Sequence, residues 1–208
     1  MSITADALTI TDPTGEKYDL ARPTVRLALR FIHDARDIPF LHLTTLTSLT
    51  VIPFAALLFA RFHWGLAVVY WLYTLAVFLG PYILMLHCTS HRRLFRHEWA
   101  WMNHYIPRVL GMFFGQTPET YFAHHMGMHH PENNLPEDLS STMRFQRDSF
   151  VDFMRYYLRF LTVGLYDLAR YFKRKKRARL MRQAVTGEVV YYAIVGALAL
   201  VNWRAALV

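Results

Sequence analysis

Apolar residues are gathered into long blocks separated by short polar or basic stretches. The longest block, Gly65 to Leu86, runs for 22 residues without a charge. A bilayer core about 30 Å thick takes roughly 20 helical residues, so this block predicts a spanning helix. The block before it, Thr45 to Ala60, is shorter, and Leu41 to Leu43 can extend it. Arg61-Phe62-His63-Trp64 separates the two, which predicts a transmembrane hairpin with Arg61 and Trp64 anchoring its tip. A third run reaches from Val189 to Val201 and meets Asn202-Trp203-Arg204, after which Ala205 starts another apolar stretch. That layout repeats the tip at Arg61 to Leu66. The expectation is a second hairpin whose returning helix lies beyond Val208, so that the chain is truncated at its C-terminus.

The segments between these blocks are polar or amphipathic. Residues 1–20 read as a polar tail with turn chemistry at Asp12-Pro13-Thr14-Gly15, and residues 21–208 as one membrane domain. From Arg22 to His42 charge and apolar residues mix, with Arg22, Arg26 and Arg30 four apart, which predicts a helix lying at the membrane surface. Tyr105 to Gly115 is apolar but only 11 residues long, too short to span, and reads as interfacial or re-entrant. Phe150 to Phe172 is aromatic and amphipathic, again suited to the interface. Lys173 to Arg182 then holds seven basic residues in ten.

Composition agrees with a membrane protein: 54% of residues are apolar, 15% aromatic and only 18% charged. The net charge of +8 reads, beside apolar blocks, as loops facing anionic lipid, with no nucleic-acid partner expected. If the first hairpin leaves from and returns to one side, 21 of the 23 Lys and Arg residues lie on that side, all but Arg61 and Arg204. The positive-inside rule makes it the cytoplasmic face. Cys88 is the single cysteine, so no internal disulfide forms. Met1 to Lys17 is polar and acidic and is no signal peptide.

Eight of the eleven histidines fall between His87 and His130. His87 and His91 form an HxxxH pair where the second span ends. His125, His129 and His130 form HxxxHH, preceded by His124 and followed by a helix stop at Pro131-Glu132-Asn133-Asn134. On a regular helix, positions four apart share a face, so each pair predicts two imidazoles converging on one metal. His130 lies about 100° round from His129, so it either reaches a second metal or marks a distorted turn. Neutral imidazole suits Fe, Zn and Cu. His33, His42 and His63 read as polar interfacial residues, and His97 and His104 as supporting rather than ligating groups. His124 stands between ligand and neighbour of a ligand. HExxH is absent, which leaves a zincin-type protease unsupported. There is no glycine-rich dinucleotide fingerprint, so reducing power must come from a partner. Pro136-Glu137-Asp138 reads as a turn leading into a helix N-terminus.

With these clusters and the hairpin before them, the chain resembles the membrane fatty acid desaturase and hydroxylase superfamily, over roughly residues 40–208. The signature of that superfamily is three histidine boxes, roughly HxxxH, HxxHH or HxxxHH, and HxxHH, on the cytoplasmic side of transmembrane hairpins. The resemblance implies an all-α integral membrane fold of transmembrane hairpins and interfacial helices around a cytoplasmic site. It implies two non-haem irons, O2 as co-substrate, and an electron donor such as cytochrome b5, ferredoxin or rubredoxin. It implies His87, His91, His125, His129 and His130 as iron ligands, with His124 as a possible sixth. The implied reaction is desaturation of a fatty acyl chain. Hydroxylation of an alkyl, acyl or isoprenoid chain by the same centre is the alternative, to which the HxxxHH spacing and Pro136-Glu137-Asp138 lend some weight. The third box is absent and five ligands do not complete two irons, so the chain alone is expected to be inactive. A non-catalytic metal-binding or transport protein is the reading from another class.

Overall fold

Asp34 divides the N-terminal surface segment. Its carboxylate accepts from the Arg36 N–H at 2.8 Å, a helix-starting cap, and Pro39 supplies a first-turn residue that needs no donor. The computed structural model, which describes residues 18–208, therefore has two helices where one surface helix was expected. A short α1 covers Pro23–Ala28. A spanning helix, α2, covers Ala35–Ala60 and begins ten residues before the apolar run. The acidic charge in its first turn is answered: buried Asp37 receives Arg92 Nη2 at 2.6 Å. The predicted tail falls outside the described residues except for 18–20, of which Tyr18 packs on the core.

Among the described residues three helices are long and apolar enough to cross a membrane: α2, α3 (Trp64–His91) and, after the shorter elements, α7 (Ala178–Ala206). Among the described residues there is no strand, only one isolated bridge between Ile32 and Phe95. α2 and α3 form the predicted hairpin. Thr44 meets Met85 near its open end, Tyr73 Oη donates to Thr50 Oγ1 at mid-length, and His63 accepts from the Gly65 N–H to start α3 at the tip. Most of the surface of these helices is apolar yet exposed, including Val68, Val69, Leu72, Leu84, Val189 and Leu200. An apolar exterior over that length is what a lipid solvent demands.

Helix α4 (Met102–Arg108) and the turn Leu110–Phe114 fold against α3 instead of crossing. Tyr82 is fully buried there, stacked on Phe114 and donating to the Ile106 carbonyl at 3.0 Å. The second histidine cluster sits on α5 (residues 120–132), which ends as expected: Asn133 and Asn134 take left-handed φ of 47° and 62°. The amphipathic stretch forms α6 (Phe150–Arg174), capped by Ser149.

α7 is 29 residues long, far more than its apolar run. Gly187 rests on the Pro118 carbonyl, Thr120 bonds the Ala184 carbonyl, and Thr117 bonds Glu188. At the other end Asn202 breaks helical geometry (φ −155°, ψ 95°), accepts from the Ala205 N–H and donates to the Phe59 carbonyl. At the expected tip, Asn202-Trp203-Arg204, two helical pieces thus meet at a capped break beside the tip of the first hairpin. The start of α7 consequently lies at the same end of the bundle as the histidines.

Each of three wide, π-helical turns ends two residues before a proline. Thr47–Val51 precedes Pro53, Thr74–Leu79 precedes Pro81, and His125–His129 precedes Pro131. Proline lacks an N–H and its ring collides with the carbonyl four residues earlier, so the preceding turn widens. The Ile52 and His130 N–H groups accordingly bond five residues back, to Thr47 and His125.

Candidate metal centre

On a regular helix His125 and His130 would stand about 140° apart. The π turn brings them together instead, with Nε2 atoms 3.1 Å apart and ring centroids at 4.5 Å. His129, the partner that four-residue spacing predicted, is farther from His125, at 5.8 Å between centroids. The last turn of α3 is regular and holds His87 and His91 4.9 Å apart. α5 lays His125 against both: His91 Nε2 is 3.2 Å from His125 Nε2, and the His87 and His125 rings are 4.6 Å apart. One nitrogen from each of His87, His91 and His125 lies within 4.8 Å of the others, and the His130 ring is 4.6 Å from that of His91.

Nitrogens bound at about 2.1 Å to one metal lie roughly 3.0 Å apart at an octahedral angle and roughly 3.4 Å apart at a tetrahedral one. The His91–His125 and His125–His130 separations of 3.2 and 3.1 Å fit that requirement. An all-imidazole set without thiolate suits iron, zinc or copper. Burial, then the neighbouring His130, His87, His91 and His129, push the His125 pKa down to about 4 from 6.5. Neutral imidazole is the ligating form.

His129 has a different tie. Its Nδ1 lies 2.9 Å from Oδ2 of Asp138, a carboxylate whose side chain is fully buried. Burial alone would raise that carboxyl, but hydrogen bonds from Ser140 and His129 outweigh it and hold it below its ordinary value. This is how a carboxylate fixes a histidine tautomer and leaves Nε2 free to ligate. Ser140 Oγ donates to Asp138 Oδ1 at 2.6 Å and lies 2.8 Å from His124 Nε2. His124 is thereby turned to Ser140 and α6, outside the group of four, and burial lowers its pKa to about 4.

Asp138 is the residue that sequence reading missed. The segment 135–138 is a turn, as expected, but no helix begins there; the next starts at Phe150. An Asp eight residues after the last histidine of the cluster was the available signal. The basic run also differs from a purely lipid-facing patch. Lys175 pairs with Glu132 and Glu137, and Arg177 Nη1 donates to the Gly127 carbonyl at 2.7 Å. That carbonyl is the one Pro131 cannot serve, so Arg177 supplies the missing donor of the π turn. Gly127 itself is where α6 and α7 close in, since a Cβ there would meet Phe172 and Leu180 at 2.9 Å. Of the other histidines, His63 caps α3, and His104 Nδ1 stands 4.0 Å from Glu119.

Because His125 and His124 carry depressed pKa values, the unfolded chain binds protons between about 6.5 and about 4 that the folded site refuses. The stabilisation from their neutral forms is complete above the upper value and lost as pH falls through the lower one. Metal competes with those protons. Bound metal, measured by plasma mass spectrometry after dialysis across this window, should be held well below pH 6.5 and lost as pH falls through about 4, and complete loss already near pH 6 would contradict the arrangement.

The sequence model described as fatty acid desaturase matches residues 62–208, well over half of the chain and all of the histidine cluster. No curated protein sequence and no solved structure shows a significant match to the chain.

Proposed function

Since the chain belongs to the fatty acid desaturase family, we propose that it is an integral-membrane oxidoreductase that desaturates a fatty acyl chain at a non-haem di-iron centre. The observation that carries this reading is the meeting of His87, His91, His125 and His130 with nitrogens at metal-sharing distances. We assign His87, His91, His125, His129 and His130 as ligands; His124 supports Asp138 through Ser140.

Two irons held there would supply, with O2 and electrons from a donor such as cytochrome b5, ferredoxin or rubredoxin, the oxidising power that an unactivated C–H bond requires. The chain's own residues do the rest. His125 stays neutral and available because it is buried among other imidazoles. Asp138 holds the His129 ring through Nδ1. Arg177 and Pro131 together keep the wide turn that sets His130 beside His125. On the positive-inside rule the histidine end, with nearly all the basic residues, faces the cytoplasm.

The test is the full-length protein expressed in membranes with a compatible reductase, iron counted per chain, and products read by mass spectrometry. Desaturation removes two hydrogens from the acyl chain. Gain of one oxygen would replace desaturation by hydroxylation, and a protein without iron and without oxygen consumption would end the oxidoreductase reading.

A further inference from the structure

Between the last histidines and Asp138 the chain reverses. It leaves His130, ends α5 at Glu132, turns at Asn133 and Asn134, both left-handed, and returns to bury Asp138 against His129. Both sides of this reversal bear on a ligand. Glu132 stands two residues after His130, and Glu137 adjoins the carboxylate that holds His129. The turn between α6 and α7 grips both sides at once. Lys175 Nζ lies 3.0 Å from Glu132 Oε1 and pairs also with Glu137. Tyr171, fully buried, donates to the same Glu132 oxygen.

The gripping turn is itself closed. Lys176 takes a left-handed φ of 57°, its N–H bonds the Lys173 carbonyl, and the Arg177 N–H bonds the Phe172 carbonyl at 2.8 Å. That is a Schellman closure, so Lys175 extends from a fixed backbone. Its two arms differ in shielding. The Glu132 side chain is 13% exposed and that of Glu137 50%, and Arg174 also reaches Glu137 at 3.6 Å. A shielded pair is screened less than an exposed one, so the Glu132 arm is the stronger. Pairing is not general in the basic run, since Lys173 has no carboxylate partner among the described residues.

We propose that Lys175 and Tyr171 are positioning residues of the metal centre. Lys175 staples the reversal shut, so that His130 on one side and Asp138 with His129 on the other keep their places. Tyr171 sets Glu132 to receive it. This rests on the metal-centre reading above and adds to it a control of ligand placement from the α6–α7 turn.

The probe is cobalt(II), which imidazole binds and whose visible bands follow ligand number and angle without turnover. The full-length protein in nanodiscs is titrated with it under argon. Tyr171→Phe, which removes one hydroxyl from a buried ring, should weaken cobalt binding about ten-fold, the low end for partners that orient a ligand, and shift the bands. Lys175→Met should do at least as much. Lys175→Arg, still able to face both carboxylates, should restore affinity and spectrum, and Lys173→Met should change neither. A merely structural role would lower the melting temperature and leave the spectrum of bound cobalt as it was, which overturns the proposal. Wild-type affinity in an inserted Lys175→Met variant overturns it, as does an arginine variant no better than methionine. Should Lys175→Met fail to insert, Tyr171→Phe decides by the same criterion. Cobalt binding needs neither O2 nor an electron donor. These shifts in a protein that forms no product would end the oxidoreductase reading and leave the staple standing. Product, with wild-type cobalt behaviour in both variants, would do the reverse.

Discussion

Replacing His125 with alanine should empty the metal centre. Its Nε2 is the common neighbour of His91 and His130, at 3.2 and 3.1 Å, and its ring also packs against His87. No other described nitrogen joins the α3 pair to the α5 pair so directly. Loss of a group that merely orients a ligand costs about 10–100-fold in metal affinity, so loss of this shared ligand should exceed the upper figure. Iron per chain and product should both drop below detection, while membrane insertion, set by α2, α3 and α7, persists. His124→Ala provides the contrast. That ring bonds Ser140 and lies outside the group, so its removal should lower metal content only a few-fold, through Asp138. Equal loss in the two variants would mean that the assignment of roles is wrong.

Gly187→Val should be the most damaging substitution away from the histidines. A Cβ at that position would lie 1.7 Å from the Pro118 carbonyl oxygen and 2.9 Å from its carbon. Both obstacles are backbone, so no rotamer relieves them and α7 must move away. Overpacking of this kind costs about 3 kcal/mol. It would also strain the bonds from Thr120 to Ala184, Thr117 to Glu188 and Gln183 to Glu119. The melting temperature in detergent should fall by several degrees, and metal with it, because the same turn introduces α5. Gly196 serves as control: nothing lies within 4 Å of a Cβ there, so Gly196→Ala should leave the melting temperature unchanged or slightly higher.

The spans were legible because a charge-free run in lipid has few alternatives. Gly65 to Leu86 became the body of α3, and the pairing with the block before it followed from the four-residue tip. Where charges intrude, legibility failed. Asp34, Arg36 and Asp37 looked like the interior of a surface helix, yet Asp34 is a cap and Asp37 is neutralised by Arg92, 55 residues away. The basic start of α7 was cut from its helix for the same reason, since Arg179 and Arg182 stand in its first turns ahead of the apolar run. The histidines that meet were nearly all in view, whereas the pairing within the second cluster was not. Helical periodicity assumed a regular turn, and Pro131 already announced an irregular one.

The wide turn bears on what the spacing of the second histidine cluster means in three dimensions. A wide turn is a helix carrying one extra residue. In HxxHH on a regular helix, the first and last histidines are four apart and share a face. In His125-Met126-Gly127-Met128-His129-His130 they are five apart, and the surplus residue is absorbed so that the same two imidazoles still meet. The spacing of the box alone therefore does not fix which imidazoles meet; the width of the turn decides it.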